Sequence, residues 1–355
     1  MTEEAPLQKI ATPDPRKHYK LRFLILTVLL IVVAFASVCV GRYSVSPQDF
    51  LDIIHGLITG DYGDVDASSV TAVLQVRLPR VIVGLAVGAA LSVAGAAYQG
   101  VFQNPMVSQD VLGASSGAAF GASLAIWLAL GGALTTTFAF VLGIAAVVVS
   151  YLVSQISRSN PILSLILAGM VVSALFSSGT STIKLVADTE SALPAITYWL
   201  MGSLASIRAA NVAPTLIMVA LGVAPLVFMR WRINILATGE DEARSLGMNT
   251  NLMRIIFIGC STFLTAVCVS VSGLIGWVGL VIPHFCRMMF GNDYRRVVPA
   301  CLLMGASFLV AADDLCRILA TSEIPIGILT SYVGAPIFIY LIAKGGGGFR
   351  GKFRS

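Results

Sequence analysis

The chain has 355 residues, of which 57% are hydrophobic and only 12% are charged, and its formal net charge is +5. Soluble domains carry about 25% charged residues, so this composition argues against a soluble protein of this size. Several apolar runs reach the roughly 20 residues that cross a bilayer as a helix. We therefore expect an all-α membrane protein that crosses the bilayer several times.

The first apolar run begins at Leu21, after a charged stretch of 20 residues. It is as long as a full span, and its A-x-A-like pair, Ala34 and Ala36, is a weak cleavage site, which favours a retained span over a cleaved signal. In chain order the apolar runs predict ten spans, at about 21–41, 81–102, 111–131, 134–153, 161–184, 212–231, 253–272, 275–290, 297–318 and 325–343. The apolar segment 192–207 is short and predicts a re-entrant or interfacial helix.

Charge asymmetry supports this count. With the N-terminus inside, the outer segments keep only these of the 23 lysines and arginines: Arg42, Arg77, Arg80, Lys184, Arg208 and Arg317. Such a bias follows the positive-inside rule, whereas counting 192–207 as a span would move the basic cluster of 230–254 outside. Topology thus accounts for the net positive charge, and no nucleic-acid partner is needed.

The segment GEDEARSLGMN (239–249) is the most charged stretch between two spans. The predicted topology places its loop, 235–250, in the cytoplasm between the sixth and seventh spans. Acidic residues precede Arg244, which suits a helix dipole, and Ile235, Leu236, Ala243 and Leu246 give the loop an apolar side. A solvated loop and an amphipathic docking element for another protein both remain open on this pattern.

Charged residues also stand at the outer ends of two spans. Arg77 and Arg80 precede the second span and are either snorkelling anchors or a basic docking spot for an acidic partner. Asp313 and Arg317 lie one helical turn apart in the ninth span, where they could neutralise each other or serve function.

Catalytic and metal-binding patterns are not evident in the sequence. The six cysteines lie in or beside apolar runs without CxxC pairing, and the three histidines are scattered. We therefore expect no catalytic residues, no metal site and no cofactor. The tail GGGGFRGKF lacks the strand and helix of a phosphate-binding loop. The predicted organisation is a cytoplasmic tail (1–20), a transmembrane domain (21–344) and a glycine-rich basic tail (345–355).

Seven segments carry a family resemblance: RLPRVIVGLAVGAALSVAGAAYQGVFQNPM (77–106), LGASSGAAFGA (112–122), YWLMGSL (198–204), NILATGEDEARSLG (234–247), GLIGWVGLVIPHFCR (273–287), ADDLCR (312–317) and EIPIGILTSYVGAPIFIYLI (323–342). Their order and spacing resemble the permease subunits of type II ATP-binding-cassette (ABC) importers of ferric siderophores, haem or cobalamin. The resemblance runs from about residue 41 to 344.

The resemblance implies a ten-helix bundle with both termini in the cytoplasm. A second permease subunit, expected to be an identical chain, would help enclose the pathway. Two copies of a separate ATPase and an extracytoplasmic substrate-binding protein would complete the importer in the inner membrane. The chain itself is then a transport subunit and not an enzyme.

The resemblance also implies roles for particular residues. In the family the loop between the sixth and seventh helices docks on the ATPase, and the matching positions are Gly239, Glu240, Ala243, Leu246 and Gly247. Outer arginines pair with glutamates of the binding protein, and the matching positions are Arg77, Arg80 and Arg317. The fifth helix, about Pro161 to Lys184, lines the pathway with Ser173, Ser177, Ser178, Thr180 and Ser181.

The chain departs from the family at three places. Residues 106–109 replace a Leu-Ala-x-Pro turn and lose the proline that would fix its backbone. Trp277 stands where Phe is usual and is expected only to add bulk. Asp314 replaces an apolar residue beside Asp313, and the sequence leaves its partner open.

The expected cargo is a ferric siderophore, with haem, cobalamin and an oxyanion such as molybdate as alternatives. Two other classes of protein fit the sequence less well. An ion-driven secondary transporter would favour ionisable residues at the midplane and broken helices around a site. A membrane enzyme would need a catalytic constellation, which the sequence does not offer.

Overall fold

The computed structural model describes residues 15–40, 46–61, 65–156, 161–320 and 322–345, and these residues form helices and turns without strands. The helices are α1 (Pro15–Cys39), α2 (Pro47–Thr59), α3 (Ala67–Thr71), α4 (Leu78–Val101), α5 (Ala114–Trp127), α6 (Gly132–Ser154), α7 (Pro161–Val186), α8 (Ala192–Leu200), α9 (Ala209–Phe228), α10 (Arg230–Thr238), α11 (Glu240–Ser245), α12 (Thr250–Ser272), α13 (Val278–Phe290), α14 (Tyr294–Ile318) and α15 (Ile326–Gly345). The chain is therefore an all-α protein.

Each predicted span falls mainly on one helix. Among the described residues, seven helical stretches are long and apolar enough to cross a membrane: Tyr19–Cys39, Ala67–Val101, Gly132–Ser154, Pro161–Val186, Ala209–Phe228, Thr250–Ser272 and Tyr294–Ile318. The other three predicted spans correspond to helices α5, α13 and α15. In the segment 192–207, helix α8 has nine residues, too few to cross a bilayer. Both predicted tails lie largely outside the described residues.

Helix α4 is the centre of the bundle. It is buried along almost its whole length and packs on α9, α12, α13 and α14. Glycines allow this close approach: a Cβ at Gly88 would lie 2.3 Å from the Gly305 carbonyl oxygen of α14, and one at Gly95 would lie 1.8 Å from the Gly279 oxygen of α13. The helices therefore touch backbone to backbone, as small residues permit in membrane bundles.

Helix α5 is shorter than the predicted span 111–131. It begins at Ala114, after Gly113 with φ of +87°, and it ends at Trp127, before a turn in which Ala129 has φ of +53°. Gly117 and Gly121 pack directly on backbone oxygens of α6, so the two helices approach closely. The fourteen residues of α5 thus cover only part of a bilayer's thickness.

The turn at 106–109 is fixed without the proline that the family uses. The Asn104 side chain accepts a hydrogen bond from the Met106 N–H at 2.9 Å. Gln99 of α4 donates to the Val107 carbonyl at 3.1 Å. Side-chain hydrogen bonds therefore replace the backbone constraint that a proline would supply.

Two short outer helices were not predicted from hydropathy. Ser46 and Asp49 form a capping box at the start of α2. Residues Ala72–Arg77 form a π-helical turn between α3 and α4, and the Leu78 N–H bonds to the Val73 carbonyl. Pro79 comes next and has no backbone N–H to donate. The wider π-turn therefore costs no backbone hydrogen bond at that residue.

Helices α7 and α15 lie at the periphery. Helix α7 packs mainly on α5 and α6, and α15 packs mainly on α13 and α14. Both keep large apolar side chains exposed, including Leu175 at 67% and Tyr332 at 77%. A single copy of the chain therefore leaves these two helices largely uncovered.

Candidate functional site

The loop between α9 and α12 folds into two short helices separated by a sharp bend. Helix α10 ends at Thr238, and Gly239 adopts φ of +133° and ψ of +158° before α11 begins. Gly247 ends this hairpin with φ of +78°. Both values lie where residues with a Cβ are strained, so glycine at these positions fixes the shape of the segment. Because these residues contain most of the loop predicted to dock on the ATPase, we call residues 230–249 the coupling segment.

Ion pairs and burial orient α11. The Glu240 carboxylate lies between Arg244, at 2.6 Å, and Arg254 of α12, at 3.0 Å. Ala243 is fully buried on the inner side of α11, whereas Leu246, which follows the last residue of the helix, is 69% exposed. Glu240 and Ala243 therefore hold α11 onto the bundle, and Leu246 is the apolar group that α11 presents outward.

Helix α10 is attached to the start of α14. The Asn234 amide donates to the Asp293 carboxylate at 2.7 Å, and its oxygen accepts from the Tyr294 N–H at 2.8 Å. Burial alone would raise the pKa of Asp293. The hydrogen bonds from Arg295 N–H and Asn234, with the nearby charges of Arg295 and Arg296, outweigh it and hold that pKa below its usual value. The carboxylate therefore stays ionised and keeps this joint intact.

Helix α10 is also attached to the end of α4. Gln103 donates to the Leu236 carbonyl at 2.9 Å, and Ile233 packs against Gly100, where a Cβ would lie 2.2 Å from the isoleucine methyl group. The coupling segment is thus joined to α4, α12 and α14, three of the most buried helices. A force applied at Leu246 would therefore be transmitted to the core of the bundle through these ion pairs and hydrogen bonds.

We expect Glu240→Gln to loosen α11, since it removes the charge that both Arg244 and Arg254 neutralise. Arg254 is 9% exposed, so its pair is shielded better than a surface ion pair. Hydrogen exchange of backbone amides in 240–248 should become faster in the variant. Asp241→Asn is the matched control, because Asp241 is exposed and forms no ion pair among the described residues. Equal exchange in both variants would contradict this role for Glu240.

A second charged cluster lies at the outer end of the bundle. Arg80 of α4 bonds Asp313 of α14 through Nε at 2.9 Å and Nη2 at 2.8 Å. It also bonds Glu323 through Nη1 at 3.2 Å and Nη2 at 3.0 Å. Its side chain is only 7% exposed, and that of Asp313 is 3% exposed. Arg80 is therefore held by two carboxylates of its own chain.

Arg317 and Arg77 bind the end of α1. Arg317 pairs with Asp314 and donates to the Ser37 hydroxyl at 2.8 Å. Arg77 donates to the Val38 and Cys39 carbonyls at 2.8 and 2.9 Å, where a cation stabilises a helix C-terminus. The partner of Asp314, which the sequence left open, is thus Arg317, together with Ser37 at 2.6 Å.

The outer cluster brings together the three arginines predicted to dock a binding protein. It also shows what the sequence did not indicate: all three are buried, and each is engaged within the chain. Docking through these arginines remains a prediction. An acidic partner would have to compete with Asp313, Asp314 and Glu323 for their N–H groups.

The five hydroxyl residues predicted to line a pathway differ in their exposure on α7. Ser177, Ser178 and Ser181 are exposed, Ser173 is half-buried, and Thr180 is buried. The Ser181 and Thr180 hydroxyls bond the carbonyls of Ser177 and Phe176 at 3.0 Å. Hydroxyls satisfied by their own helix offer a passing solute little binding strength.

Trp277 does more than add bulk. Its φ of +70° is strained for a large side chain, and it precedes α13. Its ring packs directly on Gly334 of α15, and its centroid lies 6.1 Å from that of Phe338. Trp277 therefore fixes the position of α15 against α13.

Comparisons with known proteins agree with this architecture. The sequence profile of the FecCD transport family matches residues 29–344. The chain is 39% identical over 326 residues to the molybdate import system permease protein MolB of Haemophilus influenzae, covering 90% of this chain and 96% of that protein. It is 36% identical over 317 residues to a probable iron chelatin transport system permease protein of Helicobacter pylori, covering 88% and 95%.

Two further proteins extend the comparison. The vitamin B12 import system permease protein BtuC of Escherichia coli O157:H7 is 31% identical over 339 residues, covering 93% of this chain and 98% of BtuC. The solved structure of a metal-chelate type ABC transporter in an inward-facing conformation superimposes with a TM-score of 0.82 at 36% identity, covering 92% of this chain and all of that one. The relatives thus match nearly the whole chain and differ in the cargo that their names give.

Proposed function

The chain belongs to the FecCD transport family, and on that premise we propose that it passes a ferric siderophore or a related metal chelate from a substrate-binding protein into the cytoplasm. It is a permease of an ABC importer, a multi-pass inner-membrane protein and a transport component rather than an enzyme. Importers of this family work with an ATPase, a binding protein and a permease dimer. We propose two ATPase copies and an identical second permease.

The observation that carries this proposal is the coupling segment. A short helix held by Glu240 and Ala243 presents an exposed leucine on the side that charge asymmetry assigns to the cytoplasm. A helix that lays an apolar side chain into a groove of a partner is a common recognition mode. An ion-driven transporter would have no use for such an element.

Two routes would carry movement from the ATPase to the peripheral helices. One runs from α10 to α14 and on to α15, and the other runs from α11 to α12, α6 and α7; each successive pair is in contact. The bundle would then alternate between outward-open and inward-open packings as ATP binding closes the two ATPase subunits. The energy comes from ATP, so α7 needs no strong cargo site.

The outer cluster would receive the binding protein. Two glutamates of the binding protein would replace the chain's own carboxylates around Arg80 and Arg317. Arg77 lies three residues before Arg80 and is close to the same contact. Glu323 is the most exposed of these carboxylates, at 29%, and lies in the segment before α15. Displacement of Glu323 from Arg80 by a glutamate of the binding protein would link docking to the position of α15.

Molybdate is the second cargo candidate, because MolB is one of the relatives that match nearly the whole chain. The exposed hydroxyls of α7 and the single cation of that helix, Lys184, would suit weak contact with an oxyanion as well as with a chelate.

Uptake by a strain that lacks this chain decides between the cargos. We expect the strain to lose accumulation of radiolabelled iron presented as a siderophore and to regain it from a plasmid copy. Loss of radiolabelled molybdate uptake with normal iron uptake would replace the chelate proposal by the oxyanion one. Depleting ATP while keeping the ion gradient should abolish the uptake in either case.

A further inference from the structure

A cleft of about 610 Å³ opens between the ends of α6, α7 and α12. It lies at the end of α6 and the beginnings of α7 and α12, which the charge asymmetry places at the cytoplasmic face. Neither the coupling segment nor the outer cluster forms its wall, although Arg254 belongs to both the cleft and the Glu240 ion pair. The proposed transport function leaves this cleft unexplained.

The lining of the cleft changes from polar to apolar along its length. Gln155, Asn251 and Arg254 lie at the cytoplasmic end, whereas Val147 and Ile258 lie deeper. From Arg254 to the far end at Thr262 the helix rises about 12 Å. The cleft therefore runs from the membrane surface through most of one leaflet, whose hydrocarbon is about 15 Å thick.

The rim of the cleft is apolar and exposed. Val148, at 51%, and Ile255, at 50%, flank its opening, and Tyr151 is 38% exposed. Tyrosine is favoured at the level of lipid headgroups, where its ring is in hydrocarbon and its hydroxyl reaches water. The cleft thus opens sideways toward lipid, with its polar end at headgroup depth.

The polar end carries positive charge and a buried donor. Arg254 is 9% exposed, its Nη2 bonds Glu240, and its Nε–H has no hydrogen-bond partner among the described residues. A buried donor without an acceptor costs free energy that an incoming acceptor would recover. Glu240 is shared between Arg244 and Arg254, so the three side chains leave one net positive charge.

We propose that this cleft binds a membrane phospholipid with an anionic headgroup. Its phosphate accepts hydrogen bonds from Arg254 and the neighbouring amides of Asn251 and Gln155, and one acyl chain lies along α12 beside Gly259. A Cβ at Gly259 would meet nothing within 4 Å, so the groove has room there. The lipid would thereby contact the same arginine that holds α11 of the coupling segment.

Lipid retention by the purified full-length chain tests the proposal. The delipidated protein is mixed with phosphatidylglycerol or phosphatidylcholine of equal chain length, and bound lipid is counted by native mass spectrometry. Gly259→Leu fills the groove without a backbone clash. Gly132→Leu is the matched control, because a Cβ at Gly132 also meets nothing within 4 Å and Gly132 lines a similar cleft at the outer end of α6.

We expect the wild type and Gly132→Leu to retain phosphatidylglycerol in preference to phosphatidylcholine. Gly259→Leu should bind phosphatidylglycerol about tenfold more weakly, because its side chain fills the groove. Arg254→Gln should lose the preference for phosphatidylglycerol, because it removes a charge-assisted hydrogen bond to the phosphate. Equal retention of both lipids by the wild type would overturn the proposal. So would a Gly259→Leu variant that keeps its lipid but loses a co-purifying ATPase, since the cleft would then face a protein. Lipid counting needs no transport, so equal retention of both lipids would overturn the lipid site without bearing on the importer function.

Discussion

Replacing Leu246 with aspartate should reduce ATP-driven uptake by at least about 30-fold, the effect of losing about 2 kcal/mol at an interface anchor. Leu246 is 69% exposed at the end of α11, and it makes the only large apolar surface that this helix offers to a partner. A carboxylate there would have to be desolvated against an apolar groove, which is unfavourable without a cation to pair with it.

The measurement for Leu246 combines cargo uptake with the amount of variant in the membrane. Because Leu246 is exposed, the variant should insert and fold normally, so a loss of uptake at normal protein level assigns the effect to coupling. Asp241→Ala, which alters an exposed neighbour that has no ion pair among the described residues, is the control and should transport normally. Normal uptake by Leu246→Asp would remove the coupling segment from the mechanism.

Replacing Asp313 with asparagine should destabilise the folded chain by about 3 kcal/mol, because it leaves a buried arginine without its principal counter-charge. Arg80 and Asp313 share two hydrogen bonds, and Asp313 also lies 3.4 Å from the Nε of Arg317. Asparagine keeps the size of the side chain but leaves two cations with one carboxylate fewer. The outer ends of α4 and α14 should then separate more easily.

The midpoint of thermal unfolding in detergent, followed by intrinsic fluorescence, measures the effect. Glu323→Gln is the control: its side chain is 29% exposed, and we expect a loss below about 1 kcal/mol. The double variant Arg80→Met with Asp313→Leu should recover much of the stability, since apolar pairs often replace buried ion pairs at little cost. A single variant Asp313→Asn that unfolds like the wild type would show that Arg80 is not held by this pair.

Hydropathy was sufficient to predict the spans, because each apolar run must satisfy its backbone hydrogen bonds internally and so becomes a helix. It failed where glycine backbone and turns shorten a helix, as at Gly113 and Ala129 around α5. It also missed α2, whose capping box of Ser46 and Asp49 stabilises a helix too short and too polar to be read as a span.

The residues at the coupling segment were predicted by resemblance, but what holds the segment in place was not. Asn234 stands within a motif that was recognised, yet its bonds to Asp293 and Tyr294 join positions 59 and 60 residues apart. Arg80 likewise finds Asp313 at a separation of 233 residues. Such pairs depend on how helices pack, which neither hydrophobic periodicity nor local spacing encodes.

Asp314 and Trp277 illustrate the same limit. Each was visible as a departure from the family, but only the packed bundle places Asp314 on Arg317 and sets Trp277 against Gly334. The burial of Arg77, Arg80 and Arg317 likewise follows from packing and could not be read from their positions in the sequence.

The most direct test of the account is to purify this chain from its native membrane in a mild detergent and to identify what accompanies it. We predict an ATPase in amounts equal to the chain, lost when Leu246 is replaced by aspartate and kept when Asp241 is replaced by alanine. Recovery of the chain alone, with uptake that survives ATP depletion and collapses with the ion gradient, would contradict the account and point to a secondary transporter.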